Sequence, residues 1–256
     1  MTPRSGLRGR RSAASVLLTV ALLAIPWASA RADVTHPPVL IQEGNACLPT
    51  AAAMALHSLG DPTTPRDVAR RLPFHSDGTD FFDLQEELTR RGYASLVFTA
   101  GPDAVAAAIE AGVPVVAAVR RGSVKHAVMV WGVRDGDDGR RVLSIDPADG
   151  AERDESFESF EEAQYAGQLL ALWRQDTPAE SALEAVRFPL DAARRTNARF
   201  RAAALVRRAE RHPEPNRQAL ELLRRATQED PTWADSRRRL EAAEAALRSL
   251  GDKTRE

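Results

Sequence analysis

The order of the elements predicted from this 256-residue chain indicates an α+β fold followed by an all-α segment. Three helices come first, and strands separated by turns then dominate as far as Trp173. This order is expected when helices pack on a mostly antiparallel sheet. From about Gln175 the composition shifts to Ala, Arg, Glu and Leu, with no further strand signal. The sequence therefore predicts an α+β domain and a helical tail.

The three early helices have recognisable ends. The first begins at Cys47 and stops at Gly60, and Pro49 is acceptable in its first turn because the donors there have no intrahelical partner. Pro65 suits the first position of the second helix, and Asp80 is a suitable cap for the third. The predicted ranges are 47–59, 65–72 and 80–91.

The middle of the chain reads mainly as strands. Apolar and β-branched runs bounded by Gly and Pro predict strands at 93–99, 113–119, 126–133, 141–145 and 169–173. Helices are predicted between them at 102–111 and 156–166. Residues 135–139, with three aspartates and two glycines, indicate a hairpin turn rather than a calcium loop, because EF-hand spacing is absent.

The tail is predicted to contain helices at 190–211, 216–229 and 232–250. Ala219, Leu223, Ala226 and Pro231 fall in the register of the second helix of a tetratricopeptide repeat. A helical hairpin packed on the preceding domain is the alternative. The predicted boundaries are 1–32 for a signal peptide, 33–175 for the α+β domain and 176–256 for a tetratricopeptide-like tail.

Export is predicted from the first 32 residues, in which a basic start precedes an apolar run at 13–28 and small residues that suit a signal peptidase. An uncleaved segment would tether the protein to a membrane. The chain has 35 basic and 36 acidic residues, and removal of 1–32 takes five arginines and no acid, which leaves a formal charge of −6. This balance argues against a nucleic-acid partner. No zinc cluster or cofactor motif is present in the sequence.

Cys47 is the only cysteine, so in an exported protein its thiol is structural, intermolecular or reactive. The start of a helix stabilises a thiolate, and a nearby imidazole would complete an ion pair. His126 begins a buried strand and is the best of the five histidines for this role, because His57 lies too far along the same helix.

Asp146 ends the strand that follows His126 along the chain, so a hairpin would bring the two residues together. Asp149 and Asp135 are weaker substitutes. Gln42 and the backbone N–H of Cys47 are the predicted oxyanion donors. Singly, each residue has a structural explanation, but their order and spacing together predict a thiol hydrolase.

These residues resemble a known family. Gln-x4-Cys before an alanine-rich helix, Lys-His-Ala-Val-Met-Val-Trp-Gly and Ile-Asp-Pro are similar to motifs of C39-like, papain-fold cysteine peptidases, over roughly 39–173. The resemblance implies a papain-like fold, with Cys47 as nucleophile, His126 as base, Asp146 as orienting acid and Gln42 as oxyanion donor. Leu48 stands where the family usually has glycine, which motivates a second hypothesis.

The first hypothesis is an exported cysteine peptidase without a cofactor, acting on a peptide or protein substrate. The second is a catalytically weak or inactive peptide-binding module, with the tail contacting a protein partner. A transglutaminase-like acyltransferase is a third and weaker hypothesis, since it would use the same kind of triad.

Overall fold

The structure is a computed structural model that describes residues 34–74, 78–99, 101–212 and 216–253. The predicted signal peptide therefore lies outside the described residues. The helices are α1 (Cys47–Ser58), α2 (Pro65–Ala69), α3 (Phe81–Arg90), α4 (Pro102–Glu110), α5 (Phe157–Ala163), α6 (Ala179–Ala185), α7 (Leu190–Glu210), α8 (Arg217–Glu229) and α9 (Ala234–Lys253). The strands are β1 (Tyr93–Phe98), β2 (Val115–Arg121), β3 (Val124–Gly136), β4 (Gly139–Ile145), β5 (Glu152–Ser156) and β6 (Gln164–Arg174).

The six strands form one sheet in the order β1-β6-β2-β3-β4-β5, and every neighbouring pair is antiparallel. The predicted α+β class with an antiparallel sheet is confirmed. The hairpin predicted at 135–139 joins β3 to β4. Two short elements were not predicted: β5, whose sequence Glu-Arg-Asp-Glu-Ser has no apolar residue, and α6.

Helix α1 packs against β3 near the middle of the core. Its residues Leu48–Leu56 are buried without a break, and the run contains four alanines. Because alanine side chains are small, the helix axis can approach the strand closely. This contact fixes the start of α1 near the start of β3, and it sets the position of Cys47 relative to the sheet.

The helical tail packs on the α+β domain through α7, which lies against β1 and α3. Asn197 on α7 accepts two hydrogen bonds through its Oδ1, each of 2.9 Å, from the backbone N–H of Val97 and from Nε2 of Gln85. Arg208 forms an ion pair with the buried carboxylate of Asp83 on α3. The tail therefore contacts the rest of the molecule through specific polar groups.

Phe82 is the apolar link between the two parts. It lies on α3, but its side chain is fully buried among α7 and α8 residues such as Leu205 and Leu223. The guanidinium of Arg208 lies 4.3 Å from its ring centroid. Phe82 therefore belongs to a separate apolar cluster supplied by the tail, and it lies outside the core cluster that contains the residues of the first helix. Within that cluster Ala219, Leu223 and Ala226 are buried on α8, but the tetratricopeptide assignment and the domain boundaries stay predictions.

Phe82→Ala is expected to lower the free energy of unfolding by about 3 kcal/mol, because it removes a fully buried ring and leaves a cavity. Urea denaturation followed by circular dichroism measures this change. Phe74→Ala is the matched control, since Phe74 is 43% exposed and its loss should change stability by less than about 0.5 kcal/mol. Equal stabilities of the two variants would contradict the assigned role of Phe82.

Among the described residues, no helix is long and apolar enough to cross a membrane. Within the same ranges there is also no group of three side chains suited to hold a metal ion.

Candidate active site

Cys47 is the first residue of α1, as predicted. The N-cap position is occupied by Ala46, and no side chain, including that of the preceding Asn45, caps the helix. The backbone N–H groups of Leu48 and Ala127 both donate to the Cys47 sulfur. The thiol therefore lies where unpaired helix donors and a neighbouring strand stabilise negative charge.

His126 is the third residue of β3, where its side chain is 9% exposed. Its imidazole forms a hydrogen bond with Cys47, while its Nε2 lies 2.6 Å from Oδ1 of Asp146. Because Nε2 contacts the carboxylate, Nδ1 is the nitrogen left to face the sulfur. The structure thus brings together Cys47, His126 and Asp146, which were selected from the sequence.

The other histidines lie elsewhere. His57 bonds to the Thr63 carbonyl oxygen, His36 contacts Glu152 and the ring of Trp131, and His212 lies beside Asn216 in the tail. His75 lies outside the described residues. No other histidine within the described ranges is placed with Cys47.

The three side chains alter one another's ionisation. Burial alone would favour the neutral thiol, but the hydrogen bond and charge of His126 and the two backbone donors outweigh it, so the pKa of Cys47 is lowered. Burial likewise opposes the charged imidazole, yet Asp146 and Cys47 together raise the pKa of His126 to about 9. Both shifts favour the charged forms of the pair, thiolate and imidazolium.

Asp146 stays ionised in this environment. Burial opposes its charge, but the His126 hydrogen bond, the Ala148 backbone N–H at 3.0 Å and the guanidinium of Arg121 hold its pKa well below the ordinary value. Arg121 Nε and Arg153 Nη2 donate to Oδ2 at 3.3 and 3.2 Å. Oδ1 is thus left for His126 and the Ala148 N–H.

The two arginines were not predicted from the sequence. Arg121 ends β2 and Arg153 lies in β5, a strand with no apolar pattern to reveal it. Neither residue stands near Asp146 in a recognisable motif. The position of Arg153 depends on the β4–β5 pairing, in which Ser144 is opposite Arg153. Arg121 is positioned by the β2–β3 pairing, in which it is opposite Val124.

Gln42 lies in the same cleft as Cys47, but its amide is engaged locally. Its Nε2 donates to the Gly44 carbonyl oxygen at 2.6 Å, and its backbone N–H donates to the Pro147 carbonyl oxygen at 2.8 Å. Its Oε1 is buried and has no hydrogen-bond partner. The hydrogen bond to Pro147 connects Gln42 to the turn after Asp146. The role of Gln42 as an oxyanion donor stays a prediction.

The cleft around these residues has a volume of about 330 Å³ and a largely apolar wall. Leu48, Phe81 and Val124 line it together with Cys47 and His126. Leu48 is 4% exposed, so it forms part of the floor beside the sulfur. A concave, mainly apolar space with a few polar groups is typical of a ligand-binding site.

The sequence matches the model of the Peptidase_C39 like family over residues 28–168, which is more than half of the chain. No curated protein matches the sequence.

Among solved structures, the chain is similar to the peptidase domain of Streptococcus ComA, a bi-functional ABC transporter involved in quorum sensing. The identity is 17% and the TM-score 0.48, over 55% of this chain and 99% of that one. It is also similar to a double glycine motif protease from an AMS/PCAT transporter in complex with the leader peptide, with 19% identity, a TM-score of 0.46 and coverage of 57% and 96%. A third is the peptidase C39 like domain of a toxin secretion ATP-binding protein from Vibrio parahaemolyticus, with 14% identity, a TM-score of 0.41 and coverage of 52% and 100%.

Proposed function

This chain belongs to the Peptidase_C39 like family, and we propose that it is an exported thiol peptidase that hydrolyses a peptide or isopeptide bond. The contact between the Cys47 thiol and the His126 imidazole, which Asp146 holds from its other side, supports this proposal. A thiol with a lowered pKa beside an oriented base is the arrangement that activates a cysteine nucleophile.

The reaction follows from the charges of the pair. The Cys47 thiolate attacks the carbonyl carbon, and the imidazolium of His126 donates its proton to the leaving amine as the C–N bond breaks. A thioester on Cys47 remains. Water then attacks this thioester while neutral His126 accepts its proton, and the carboxylic acid product and the thiol are released. Asp146 orients the ring in both steps without taking the proton.

The negative oxygen of each tetrahedral intermediate requires donors. The backbone N–H of Cys47 and the side-chain amide of Gln42 are the proposed pair, and Gln42 can use its second N–H hydrogen or exchange Gly44 for the substrate oxygen. Loss of one such donor typically reduces kcat by about 10²–10³-fold. We therefore expect Gln42→Ala to lower kcat more than it raises KM, as measured by steady-state kinetics. Asn45→Ala, a cleft residue outside the triad, is its control.

The proposal is tested by the reactivity of Cys47. Alkylation of the native protein by iodoacetamide at pH 7 should be at least about tenfold faster than alkylation of free cysteine, because the thiolate fraction is larger. His126→Ala should remove this advantage, and His57→Ala should preserve it. A Cys47 that reacts no faster than free cysteine would exclude the peptidase mechanism.

Export to the periplasm or outside the cell is the second part of the proposal, and it rests on the basic and apolar character of residues 1–32. A strain that produces Cys47→Ala and its parent strain can be compared by mass spectrometry of their exported proteins. Substrates should accumulate uncleaved in the variant strain. An unchanged set of exported proteins, with the protein itself retained in the cytoplasm, would contradict export.

A peptide-binding module with weak or no activity is the alternative function, and Leu48 favours it. Its side chain occupies the floor of the cleft beside Cys47, where a substrate backbone would approach. Leu48→Gly widens this space, so it should raise activity severalfold if Leu48 limits access. The binding module would be supported if the parent protein binds peptides without hydrolysing them and if the Leu48→Gly variant is also inactive.

A further inference from the structure

A second cavity of about 410 Å³ adjoins the cleft at Cys47. Gly78, Thr79, Phe81 and Lys125 line both spaces, so the two share a wall. Lys125 directly precedes His126 in β3. A peptide that occupies the first cleft can therefore reach the second cavity within a few residues of the reacting bond.

The tail forms the far side of this second cavity. Phe200 and Arg207 of α7 and Arg211, the residue that caps its C-terminus, line it opposite the sheet. All three lie beyond residues 28–168, the part of the chain that matches the peptidase family. The cavity therefore exists only because the tail packs on the peptidase fold.

The charges in the cavity are unbalanced. Lys125, Arg207 and Arg211 contribute three cations, and the structure gives none of them a carboxylate partner within the described part of the chain. Asp80 is the only acidic residue that lines the cavity among those described, and its Oδ1 already accepts the backbone N–H of Asp83 at 2.9 Å.

Three other arginines of the same helix behave differently. Arg199, Arg201 and Arg208 each contact a carboxylate, from Asp230, Glu229 and Asp83 respectively. Arg207 and Arg211 are four positions apart, so their side chains lie on one face of α7. Arg207, Arg211 and Lys125 thus bring into one cavity three cations that have no carboxylate partner among the described residues.

The sheet side of the cavity is also irregular. Ala166 has a φ of 54° and Gly167 one of 62°, next to a register shift between β2 and β6. This bulge places Tyr165 and Gln168 along the cavity, and the Lys125 Nζ lies 5.3 Å from the Tyr165 ring centroid. Bulges beside active sites commonly redirect side chains in this way.

We propose that this cavity is a substrate subsite, built jointly by β3, β6 and α7, which binds acidic side chains of the peptide near the reacting bond. The inference rests on the proposed peptidase function for the position of the peptide. An aspartate or glutamate there would supply the missing partners of Arg207 and Arg211, and guanidinium groups suit carboxylates because they donate in pairs. The tail would then select substrates.

Two fluorescein-labelled dodecapeptides test the subsite, one alternating Ala and Glu and the other alternating Ala and Gln. Their affinities for the full-chain Cys47→Ala variant are measured by fluorescence polarisation at 50 and 300 mM salt. The Glu peptide should bind at least about tenfold more tightly at low salt, and the difference should narrow at high salt. The Glu peptide should also slow alkylation of Cys47 in the parent protein.

Arg207→Glu/Arg211→Glu should abolish the preference for the Glu peptide. The control is Arg195→Glu/Arg237→Glu, which makes the same change in net charge at two exposed arginines that do not line the cavity. Arg207→Gln/Arg211→Gln is the second variant if the reversal impairs folding. Equal binding of the two peptides, or an equal loss of preference in the control, would overturn the subsite.

The outcomes separate the two proposals. If the protein prefers the Glu peptide but Cys47 is unreactive, the subsite proposal is supported and the peptidase proposal is contradicted. If Cys47 is reactive but the protein shows no preference for the Glu peptide, the peptidase proposal is supported and the subsite proposal is contradicted.

Discussion

Cys47→Ala is expected to reduce peptide hydrolysis by at least about 10⁴-fold while leaving the fold and peptide binding intact. The thiol supplies the attacking atom, and no other cysteine exists in the chain to replace it. Alanine is well tolerated at the start of a helix, so the backbone around α1 should not change. Initial rates on a mixed library of internally quenched peptides measure the loss, and circular dichroism measures the fold.

His126→Ala and His57→Ala form the matched pair for this prediction. Both remove an imidazole near α1, but only His126 contacts the sulfur, whereas His57 bonds to the Thr63 carbonyl oxygen. His126→Ala should inactivate the protein nearly as fully as Cys47→Ala, since the two residues act as a unit. Comparable activity of the two histidine variants would mean that His126 is not the base.

The positions of Cys47, His126 and Asp146 could be predicted because local sequence determines the elements that carry them. A helix start, a buried strand and a hairpin turn each have a strong local signal. The turn at 135–139 then fixes which ends of β3 and β4 are adjacent, as the pairing of Met129 with Ile145 shows. Proximity of His126 to Asp146 follows from that pairing.

The surroundings of Asp146 could not be predicted in the same way. Arg153 lies on a polar edge strand, which forms through its backbone pairing with β4 and carries no apolar alternation. Arg121 was indistinguishable from any other charged residue at a strand end. Their roles depend on contacts across the sheet, and sequence spacing does not report such contacts.

In the tail, too, the helices could be predicted from the sequence, but their contacts with the α+β domain could not. Its three long helices were predicted from periodicity and proline positions, with ends within about three residues of those observed. The face of α7 that meets α3 was not predicted, because Asn197 and Arg208 are polar residues whose partners lie more than 100 positions away. The orientation of the Gln42 amide could not be predicted either. The sequence places Gln42 near Cys47, but it does not indicate that its amide donates to the Gly44 carbonyl oxygen.

Asp146→Ala is expected to lower kcat/KM by about 10³-fold or more, because the imidazole loses the group that orients it and stabilises its charge. The carboxylate lies 2.6 Å from His126 Nε2 and also accepts from Arg121 and Arg153. Without it, the two guanidinium groups lose their shared anion close to the ring. Both effects disfavour the imidazolium that protonates the leaving amine.

Asp146→Asn separates orientation from charge through the pH profile. In the parent protein the rate should rise with pH through the lowered pKa of Cys47 and fall as pH rises through the pKa of His126, about 9. Asparagine keeps an acceptor for Nε2–H but removes the negative charge. The falling limb should therefore move towards the ordinary imidazole pKa of about 6.5.

The contribution of His126 to folding stability should also fall as pH rises. A histidine whose pKa is raised by folding stabilises the native state below the unfolded pKa of about 6.5, and this contribution is lost as pH rises through about 9. Urea unfolding of the parent and of Asp146→Asn between pH 6 and pH 10 measures it. The lowered pKa of Cys47 gives both proteins a contribution of opposite sign, which rises with pH, so the difference between the two proteins reports on His126. Relative to the variant, the parent should lose stability as pH rises over this interval. Because Arg121 and Arg153 remain in both proteins, an identical pH dependence would mean that the carboxylate acts on the arginines alone and contributes nothing to the charge of His126.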